Sequence, residues 1–252
     1  KIAVIGTGIS GNVAAYYLNK SYDIKVYEAN DYIGGHTHTH DIVMNDSEYA
    51  IDTGFIVFNY KTYPHFTKLL EELEVDIQPS NMSFSVKCEE TGLEYNGTSL
   101  NSLFAQRLNL FRPSFYKMIK DILRFNKESV EDLEAGSANV SMGKYLSDRN
   151  YGKKFIDQYL IPMGAAVWSA DPQQMMDFPA GFFIRFFHNH GMLSVNNRPQ
   201  WYVIKGGSKE YVKKLTASFA NKIHTESAVK SVKRLDTGVK LTLKNGEAEF
   251  FD

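Results

Sequence analysis

Three glycines directly after a short apolar segment constrain the fold of this 252-residue chain more than any other feature. Residues 1–5 have the apolar character of a buried strand. Helix-forming residues then occupy 10–20, and a second strand pattern at 24–27 ends in Glu28. A strand, a helix and a strand within about thirty residues predict a βαβ unit, and therefore an α/β fold with a parallel sheet. The three glycines are Gly6, Gly8 and Gly11, so the last of them lies in the first turn of the predicted helix.

The spacing Gly-x-Gly-x-x-Gly in this position is typical of a dinucleotide-binding turn. Gly6 allows the tight turn, Gly8 lets the main chain approach a pyrophosphate, and Gly11 lets the helix pack closely on the strand. The backbone N–H groups of Ile9 and Ser10 begin the helix, where the helix dipole favours an anion. We therefore expect a pyrophosphate to bind at this turn.

Glu28 is the acidic residue expected at the end of the second strand. There a carboxylate accepts hydrogen bonds from two ribose hydroxyls and repels a 2′-phosphate, so NADP is disfavoured. NAD and FAD both use this arrangement, and the motif alone does not choose between them. The alternative is a tight turn with a glutamate that only faces solvent.

The remaining patterns predict a dinucleotide-binding domain that is interrupted by an insertion. The middle of the chain is mostly helical, and the end returns to strands. We assign 1–60 and 200–252 to the discontinuous FAD-type domain and 61–199 to an inserted substrate domain. The predicted elements are helices at 60–74, 100–133, 153–168, 180–190 and 208–219, a hairpin at 82–95, and strands at 201–204, 223–235, 239–243 and 247–251.

Composition excludes several classes of function. The chain has 28 basic and 29 acidic side chains and a formal net charge of -1, which argues against nucleic-acid binding. Its single cysteine, Cys88, excludes an intramolecular disulfide and fits the reducing cytoplasm. Cys88 lies in an alternating strand, where we expect a buried, inert thiol. The longest apolar stretch, 178–187, is interrupted by Arg185 and is too short to span a bilayer.

Two side-chain roles follow from the helical patterns. Ser208 is expected to N-cap the helix at 208–219. Asp121 lies off the apolar stripe of the helix after Pro113, and is expected on its solvated face.

The sequence after Glu28 carries a more specific signal. Ala29 follows it, and a short loop leads to the paired glycines Gly34 and Gly35. This extension resembles the FAD-dependent amine-oxidase-like superfamily, which includes protoporphyrinogen oxidases, phytoene desaturases and UDP-galactopyranose mutases. The resemblance implies FAD as the cofactor, in a Rossmann-type FAD-binding domain (GR2-like) with an inserted helical plus antiparallel-sheet substrate domain.

Most members of that superfamily have arginine after the glycines, whereas this chain has His36 and then Thr37. The resulting GGHTHT run is similar to a narrower group of uncharacterised bacterial and plant NAD/FAD-binding proteins. Further blocks of this sequence resemble the same group, and they lie at 52–59 (DTGFIVFN), 168–169, 187–191 (FHNHG), 198–201 and 206–208.

The resemblance implies roles for residues far from the first turn. His36 and Thr37 belong to the cofactor-side loop, and Gly54 and Phe55 would lie near the flavin ring. Val229 would contact the adenine through its main chain, although a buried strand valine is an equally good interpretation. No catalytic base maps onto this sequence.

Several histidines invite other chemistry. His36, His38 and His40 alternate, which would place them on one face of a strand, but no carboxylate or cysteine joins them and we expect no metal site. His188 and His190 could relay a proton, but the capping of a helix that ends at Gly191 is the favoured interpretation.

The run FPAGFFIRFF at 178–187 places four phenylalanines on one broad helical stripe. Such a stripe is most often protein core, but it could also line a channel for an acyl chain or rest on a membrane surface. Arg185 beside it could pair with a carboxylate. Trp168 and Trp201 are either core anchors or walls of a pocket beside the flavin.

The resemblance favours an FAD-dependent oxidase or desaturase that abstracts a hydride from a small apolar, lipid or amine substrate. Peripheral membrane contact stays open, as does oligomeric state. The alternatives are a redox-neutral flavin-dependent mutase and a non-catalytic flavin- or nucleotide-binding module. Since members of the family are longer, we also expect the chain to be truncated at its C-terminus.

Overall fold

The computed structural model describes residues 1–168, 170–194 and 199–252, in which strands predominate near both ends and helices predominate in the middle. The strands are β1 (Ile2–Ile5), β2 (Ile24–Tyr27), β3 (Thr39–Met44), β4 (Ser47–Asp52), β5 (Ile77–Ser80), β6 (Ser85–Cys88), β7 (Leu93–Asn96), β8 (Trp201–Ile204), β9 (Ile223–His224), β10 (Val229–Leu235), β11 (Gly238–Leu243) and β12 (Ala248–Phe251). The α-helices are α1 (Ile9–Leu18), α2 (Pro64–Glu72), α3 (Leu100–Leu103), α4 (Pro113–Glu134), α5 (Met142–Asp148), α6 (Lys153–Phe155), α7 (Ile161–Trp168), α8 (Ala180–Asn189) and α9 (Lys209–Thr216). A π-helical turn (Ile156–Leu160) joins α6 to α7, and 3₁₀ turns lie at Arg107–Phe111, Gln174–Met176 and Ala217–Lys222.

These elements form two compact units. Unit 1 comprises Lys1–Ser80 and Gln200–Asp252, and unit 2 comprises Asn81–Pro199. The first boundary therefore lies after Ser80, whereas the sequence suggested residue 60. The difference arises because β5 pairs with β8, which keeps this segment and α2 in unit 1.

Unit 1 is built on a three-stranded parallel sheet in the order β1-β2-β9. β1 and β2 pair in parallel, and α1 makes the crossover between them. The third strand comes from the far end of the chain, where Ile223 and His224 pair with Val26 and Tyr27. The predicted long strand at 223–235 is thus divided, because its first two residues complete the parallel sheet while β10 begins an antiparallel one.

The other strands of unit 1 are antiparallel. β3 and β4 form a hairpin, and β10, β11 and β12 form a three-stranded meander. Buried side chains fill three clusters in this unit, centred on Phe58 and Tyr211, on Val26 and Phe219, and on Tyr27 and Leu241.

Unit 2 is mainly helical around one apolar core. The hairpin of β6 and β7 packs with α4, α5, α8 and the helical segment from α6 to α7. Pro113 is the first residue of α4, where a missing N–H costs nothing, and the extended Arg112 precedes it. The largest buried side chains here are Phe115, Phe125, Tyr145, Phe155, Phe183 and Phe187.

Three predictions about side chains are wrong. Asp121 is only 7% exposed, because its carboxylate accepts a hydrogen bond from the Gly152 N–H at 3.0 Å and pairs with Arg124. Cys88 is half-buried, and its hydrogen-bonding neighbour Thr91 lowers the pKa of the thiol. Ser208 precedes α9, but its hydroxyl does not cap that helix.

Two side chains of the β3–β4 hairpin cap α9 instead. Thr39 Oγ1 accepts a hydrogen bond from the Lys209 N–H at 2.9 Å, and the Asp52 carboxylate accepts from the Ser208 N–H at 2.9 Å. The Ser208 hydroxyl also donates to Asp52, at 3.0 Å. The hairpin is thereby anchored to the start of α9.

Candidate functional site

The predicted dinucleotide turn links β1 to α1. Gly6 has φ +90°, a left-handed conformation that favours glycine, and Gly8 is the N-cap of α1. A Cβ on Gly11 would lie 1.9 Å from the Gly6 carbonyl oxygen, so no larger residue fits there without moving the backbone. A Cβ on Gly6 or Gly8 would meet nothing within 4 Å. The turn is therefore closed on its inner side and open on its outer side.

Backbone donors are available at this open side. In the described part of the chain, the N–H groups of Ile9, Ser10 and Gly11 have no hydrogen-bond acceptor, and α1 has neither a side-chain cap nor an acidic residue in its first turn. Ile9 and Ser10 are exposed. Free N–H groups at the positive end of a helix dipole form a suitable site for a phosphate anion.

Glu28 lies at the end of β2 and is 6% exposed. Its Oε2 accepts hydrogen bonds from the Thr7 N–H, at 2.8 Å, and from the Thr7 hydroxyl, while Oε1 accepts from the Asn30 N–H at 2.9 Å. Burial raises the pKa of Glu28, but the hydrogen bonds from Asn30 and Thr7 outweigh it, so that the pKa lies below its ordinary value. The carboxyl group is ionised at neutral pH.

Thr7 and Asn12 complete this arrangement, and sequence reasoning missed both. Thr7 is fully buried, and its carbonyl oxygen accepts a hydrogen bond from Asn12 Nδ2 at 2.6 Å. Asn12 is 1% exposed, and its Oδ1 has no partner among the described residues. The sequence does contain an indication of the role of Asn12, because it is a polar residue on the buried side of an otherwise apolar helix. Thr7 gave only the weaker signal of a hydroxyl between two glycines.

The loop after β2 folds back onto the glycine turn. A Cβ on Gly35 would lie 2.9 Å from the Gly8 Cα, so the two glycines are in close contact. Gly34 has φ +128°, its N–H donates to Thr7 Oγ1 at 3.4 Å, and its carbonyl accepts from the Thr37 N–H at 3.0 Å. The structure therefore brings Gly34 and Gly35 to the predicted pyrophosphate site.

The residues after Gly35 link this loop to the segment after β4. A Cβ on Gly54 would lie 1.9 Å from the His36 carbonyl oxygen, which accepts a hydrogen bond from the Phe55 N–H at 3.1 Å. The Thr37 hydroxyl lies 2.5 Å from the hydroxyl of buried Tyr211. His36, Thr37, Gly54 and Phe55 thus lie together, and their contact with a flavin ring stays a prediction.

The Phe55 ring is half-buried and lies edge-on to Phe66, with ring centroids 5.2 Å apart. It helps to form the cluster around Phe58, so packing accounts for its side chain.

Ala29 and Val229 lie near the backbone of Glu28, on the side away from the glycine turn. Ala29 is exposed, and the Ser227 N–H donates to the Glu28 carbonyl at 2.7 Å, which places the start of β10 beside β2. Val229 is half-buried against the cluster around Tyr27, and the pairing of β10 with β11 is irregular between Val229 and Ser231. Both interpretations of Val229 fit this position, and its adenine contact stays a prediction.

The alternating histidines lie at the start of β3. The His38 ring stacks on Tyr32, with centroids 4.3 Å apart, and the His40 ring lies 4.1 Å from His38. Across residues 1–168, 170–194 and 199–252, no three His, Cys, Asp or Glu side chains are grouped to hold a metal ion.

The second histidine pair lies where α8 ends in a glycine cap. Gly191 has φ +69°, and its N–H donates to the His188 carbonyl at 3.0 Å, while the Met192 N–H donates to the Phe187 carbonyl at 2.8 Å. These two bonds form a Schellman motif. His190 Nδ1 lies 2.8 Å from the Phe186 carbonyl oxygen.

The phenylalanine stripe of α8 is mainly core. Phe183 and Phe187 are buried and stack with centroids 4.2 Å apart, and Trp168 packs against both. Phe182 is 55% exposed and, with Arg185, lines an open groove of about 480 Å³ on unit 2. Trp201 is buried in unit 1.

The sequence blocks that include Ser169 and Arg198 extend outside the described residues. Among the helices that the structure describes, none combines the length and the apolar character needed to cross a bilayer.

Solved amine oxidases share this fold. Cyclohexylamine oxidase from Brevibacterium oxydans IH-35A superposes with a TM-score of 0.72 at 18% identity, and putrescine oxidase bound to putrescine with 0.64 at 18%. Each comparison covers 98% of this chain but 55% of the oxidase chain, so this chain spans about half the length of those relatives. At such identities the likeness concerns the fold, and it confirms the Rossmann-type FAD-binding architecture.

Sequence comparison leads to the same family. A 1-hydroxycarotenoid 3,4-desaturase from Flavobacterium sp. (strain P99-3) is 33% identical over 106 residues, which cover 40% of this chain and 20% of the desaturase. The family described as flavin containing amine oxidoreductase matches residues 9–252. This match confirms both the resemblance and the flavin cofactor: the chain belongs to the flavin-containing amine oxidoreductase family.

Proposed function

We propose that this protein is an FAD-dependent oxidoreductase, an oxidase or a desaturase, that removes a hydride from a C–H bond of a small apolar or amine substrate. The observation that carries the proposal is the family match over residues 9–252, and the open outer side of the glycine turn supports it. FAD, when bound, supplies the hydride acceptor, and the protein positions the substrate and excludes water.

The residues of unit 1 fit the adenosine diphosphate half of FAD. The open side of Gly6 and Gly8 leaves room for the pyrophosphate, and the free N–H groups of Ile9 and Ser10 are the donors that would hold it. Glu28 is ionised, and a carboxylate oxygen has more than one acceptor site, so Oε1, which accepts from the Asn30 N–H, can also accept from a ribose hydroxyl. The same negative charge would repel a 2′-phosphate.

The substrate class is supported by the relatives and by the composition. The solved relatives are named for cyclohexylamine and putrescine, and the sequence relative for a hydroxycarotenoid. Aromatic residues make up 13% of this chain, which suits a pocket for an apolar molecule. We place substrate binding in the inserted unit 2. One cysteine in 252 residues supports a cytoplasmic location.

The test starts with FAD binding to the purified protein. We expect a flavin absorption spectrum after reconstitution and gel filtration, and we expect Glu28→Gln to weaken FAD binding at neutral pH. Lys144→Gln is the matched control, because this exposed side chain lies in unit 2. A protein that folds but retains no FAD would contradict the proposal.

Substrate oxidation is tested separately. Cyclohexylamine, putrescine and a 1-hydroxycarotenoid are each added anaerobically to the FAD-loaded protein, followed by a wider panel of amines and polyenes. A true substrate bleaches the flavin absorption, and oxygen or a quinone restores it. Flavin that stays oxidised with every compound, although substrate analogues bind, would favour the non-catalytic alternative.

A further inference from the structure

A basic and apolar surface on unit 2 lies outside the residues that we assign to FAD binding. This surface consists of α3, the 3₁₀ turn Arg107–Phe111 and the first turns of α4. Its large apolar side chains are exposed: Leu100 by 77%, Leu108 by 70% and Phe111 by 82%. These three side chains lie within twelve consecutive residues. A group of exposed apolar side chains often marks an interaction site, whereas isolated ones are common on protein surfaces. The exposed basic side chains of this surface are Arg107, Arg112, Lys117 and Lys120.

In the sequence, no acidic residue lies among these four cations. The sequence contains neither Asp nor Glu between Glu94 and Asp121, in a chain whose net charge is -1. Of the two flanking acids, Glu94 pairs with Lys87, and buried Asp121 pairs with Arg124. None of the four cations forms an ion pair with a described residue, so the segment keeps its excess of positive charge.

The neighbourhood of Arg112 reflects this positive potential. Burial and the nearby Arg112 guanidinium lower the pKa of Lys154, whose ammonium group donates to the Ser114 hydroxyl at 3.3 Å.

The exposed side chains stand on an ordered backbone. The Arg107 guanidinium donates to Asn101 Oδ1 at 2.7 Å and to the Phe104 carbonyl at 3.1 Å, and the Tyr116 hydroxyl donates to the Leu110 carbonyl at 3.1 Å. The Phe104 ring packs edge-on against buried Phe115. Because the segment is already folded, a partner that buries Leu108 and Phe111 pays little ordering entropy.

The charge pattern decides which partner fits. A symmetric contact with a second copy of this chain would bring these cations against their own counterparts, which is repulsive. A membrane surface with anionic lipids attracts the cations and accepts the apolar side chains at the level of the headgroups. We propose that this surface docks the protein peripherally on anionic membranes, with Leu108 and Phe111 inserted and the basic side chains on the headgroups. The proposal does not depend on the flavin chemistry.

The test is flotation of the full chain with vesicles. We expect binding to vesicles of phosphatidylcholine with about one-third phosphatidylglycerol, little binding to phosphatidylcholine alone, and release as salt screens the charges. Leu108→Ser with Phe111→Ser should lower the partition coefficient at least about tenfold, since both side chains leave the interface. Lys117→Gln with Lys120→Gln should lower it by about fivefold or more while leaving the apolar side chains in place.

The matched control lies in the β3–β4 hairpin of unit 1. Val43 and Met44 are also exposed apolar residues, by 74% and 55%, and their serine variants should bind vesicles like the parent protein. The proposal fails if the control variant loses as much binding, if neutral vesicles bind equally well, or if the Leu108/Phe111 variant still binds. It also fails if that variant abolishes a concentration-dependent dimer, because the surface would then join two protein copies.

Discussion

Glu28 is held by the glycine turn before any ligand arrives. Both hydrogen bonds to Oε2 come from Thr7, one from its backbone and one from its hydroxyl, so the carboxylate has a fixed position beside the turn. Asn12 in turn holds the Thr7 carbonyl. A preorganised carboxylate lets a nucleotide bind without the entropy loss of ordering the side chain.

Replacement of Thr7 by valine tests this arrangement at the residue scale. Valine keeps the shape of threonine but removes the hydroxyl, and a hydrogen bond to a charged group is worth about 1.5–3 kcal/mol. We expect Thr7→Val to raise the Kd for ADP and FAD about tenfold, measured by fluorescence titration. Thr7→Ser restores the hydroxyl and should recover most of the affinity. Equal affinity in all three proteins would show that Thr7 does not position Glu28.

The lowered pKa of Glu28 predicts a pH dependence. A carboxyl group whose pKa is lower when folded contributes stability above its unfolded pKa of about 4.3, and loses it as the pH falls through the folded value. At pH 7, Glu28→Gln should therefore cost about 1–3 kcal/mol of unfolding free energy. In urea titrations this difference should shrink as the pH falls from about 4.3. A constant difference at every pH would contradict the assignment.

At the element scale, the βα turn separates two tasks that its glycines perform. Gly11 faces inward, where a Cβ would lie 1.9 Å from the Gly6 carbonyl, and Gly8 faces outward into open space with an allowed φ of -65°. One glycine therefore serves the packing of α1 on β1, whereas the other serves a ligand.

Alanine variants of the two glycines should behave differently. Gly11→Ala should destabilise the protein by about 3 kcal/mol or more, because helix and strand must separate. Gly8→Ala should keep the melting temperature within a few degrees but weaken FAD binding, since the new methyl group occupies the approach to the pyrophosphate. Thermal unfolding and FAD titration of both variants check this. An unstable Gly8→Ala, or a Gly11→Ala that folds normally, would refute the division.

The elements most faithfully predicted are those specified by local chemistry. The strand-turn-helix at the start, the hairpin of β6 and β7, and the glycine cap of α8 each depend on residues close in sequence. The errors arise where distant segments compete. Ser208 binds Asp52 rather than capping α9, and Asp121 is drawn inward by the Gly152 N–H. Because these hydrogen-bond partners are distant in sequence, no local sequence pattern indicates the contacts.

The same limit applies to the candidate site. The glycines, Glu28 and the Gly34-Gly35 pair could be found from the motif, because each position needs a particular residue type. Thr7 and Asn12 lie outside the motif's fixed positions, and the role of Thr7 depends on the end of β2 lying beside the glycine turn.

At the scale of the whole molecule, unit 2 leaves and rejoins unit 1 at one place. Ser80 ends β5 and pairs with Trp201 in β8, and Gln200 Nε2 donates to the Ser80 carbonyl at 2.9 Å. The two ends of the insertion are therefore adjacent. Each unit also has apolar clusters of its own.

Unit 1 should therefore fold without the insertion. Replacing residues 81–200 by Asn-Gly would join β5 and β8 by a two-residue turn, which suits an antiparallel pair. We expect this shortened chain to unfold cooperatively in urea and to bind ADP, and the same chain with Gly8→Ala to bind it more weakly. A shortened chain without a cooperative transition would show that unit 1 needs unit 2 to fold.

The parallel sheet of unit 1 also sets an order of events during synthesis. Tyr27 pairs with His224, so β9 can join β1 and β2 only after the residues between them, including unit 2, have been synthesised. Unit 2 is continuous from Asn81 to Pro199 and can close first through contacts that are closer in sequence. The strands beside the nucleotide turn are thus translated before unit 2, yet their sheet gains its third strand only after unit 2 has been translated.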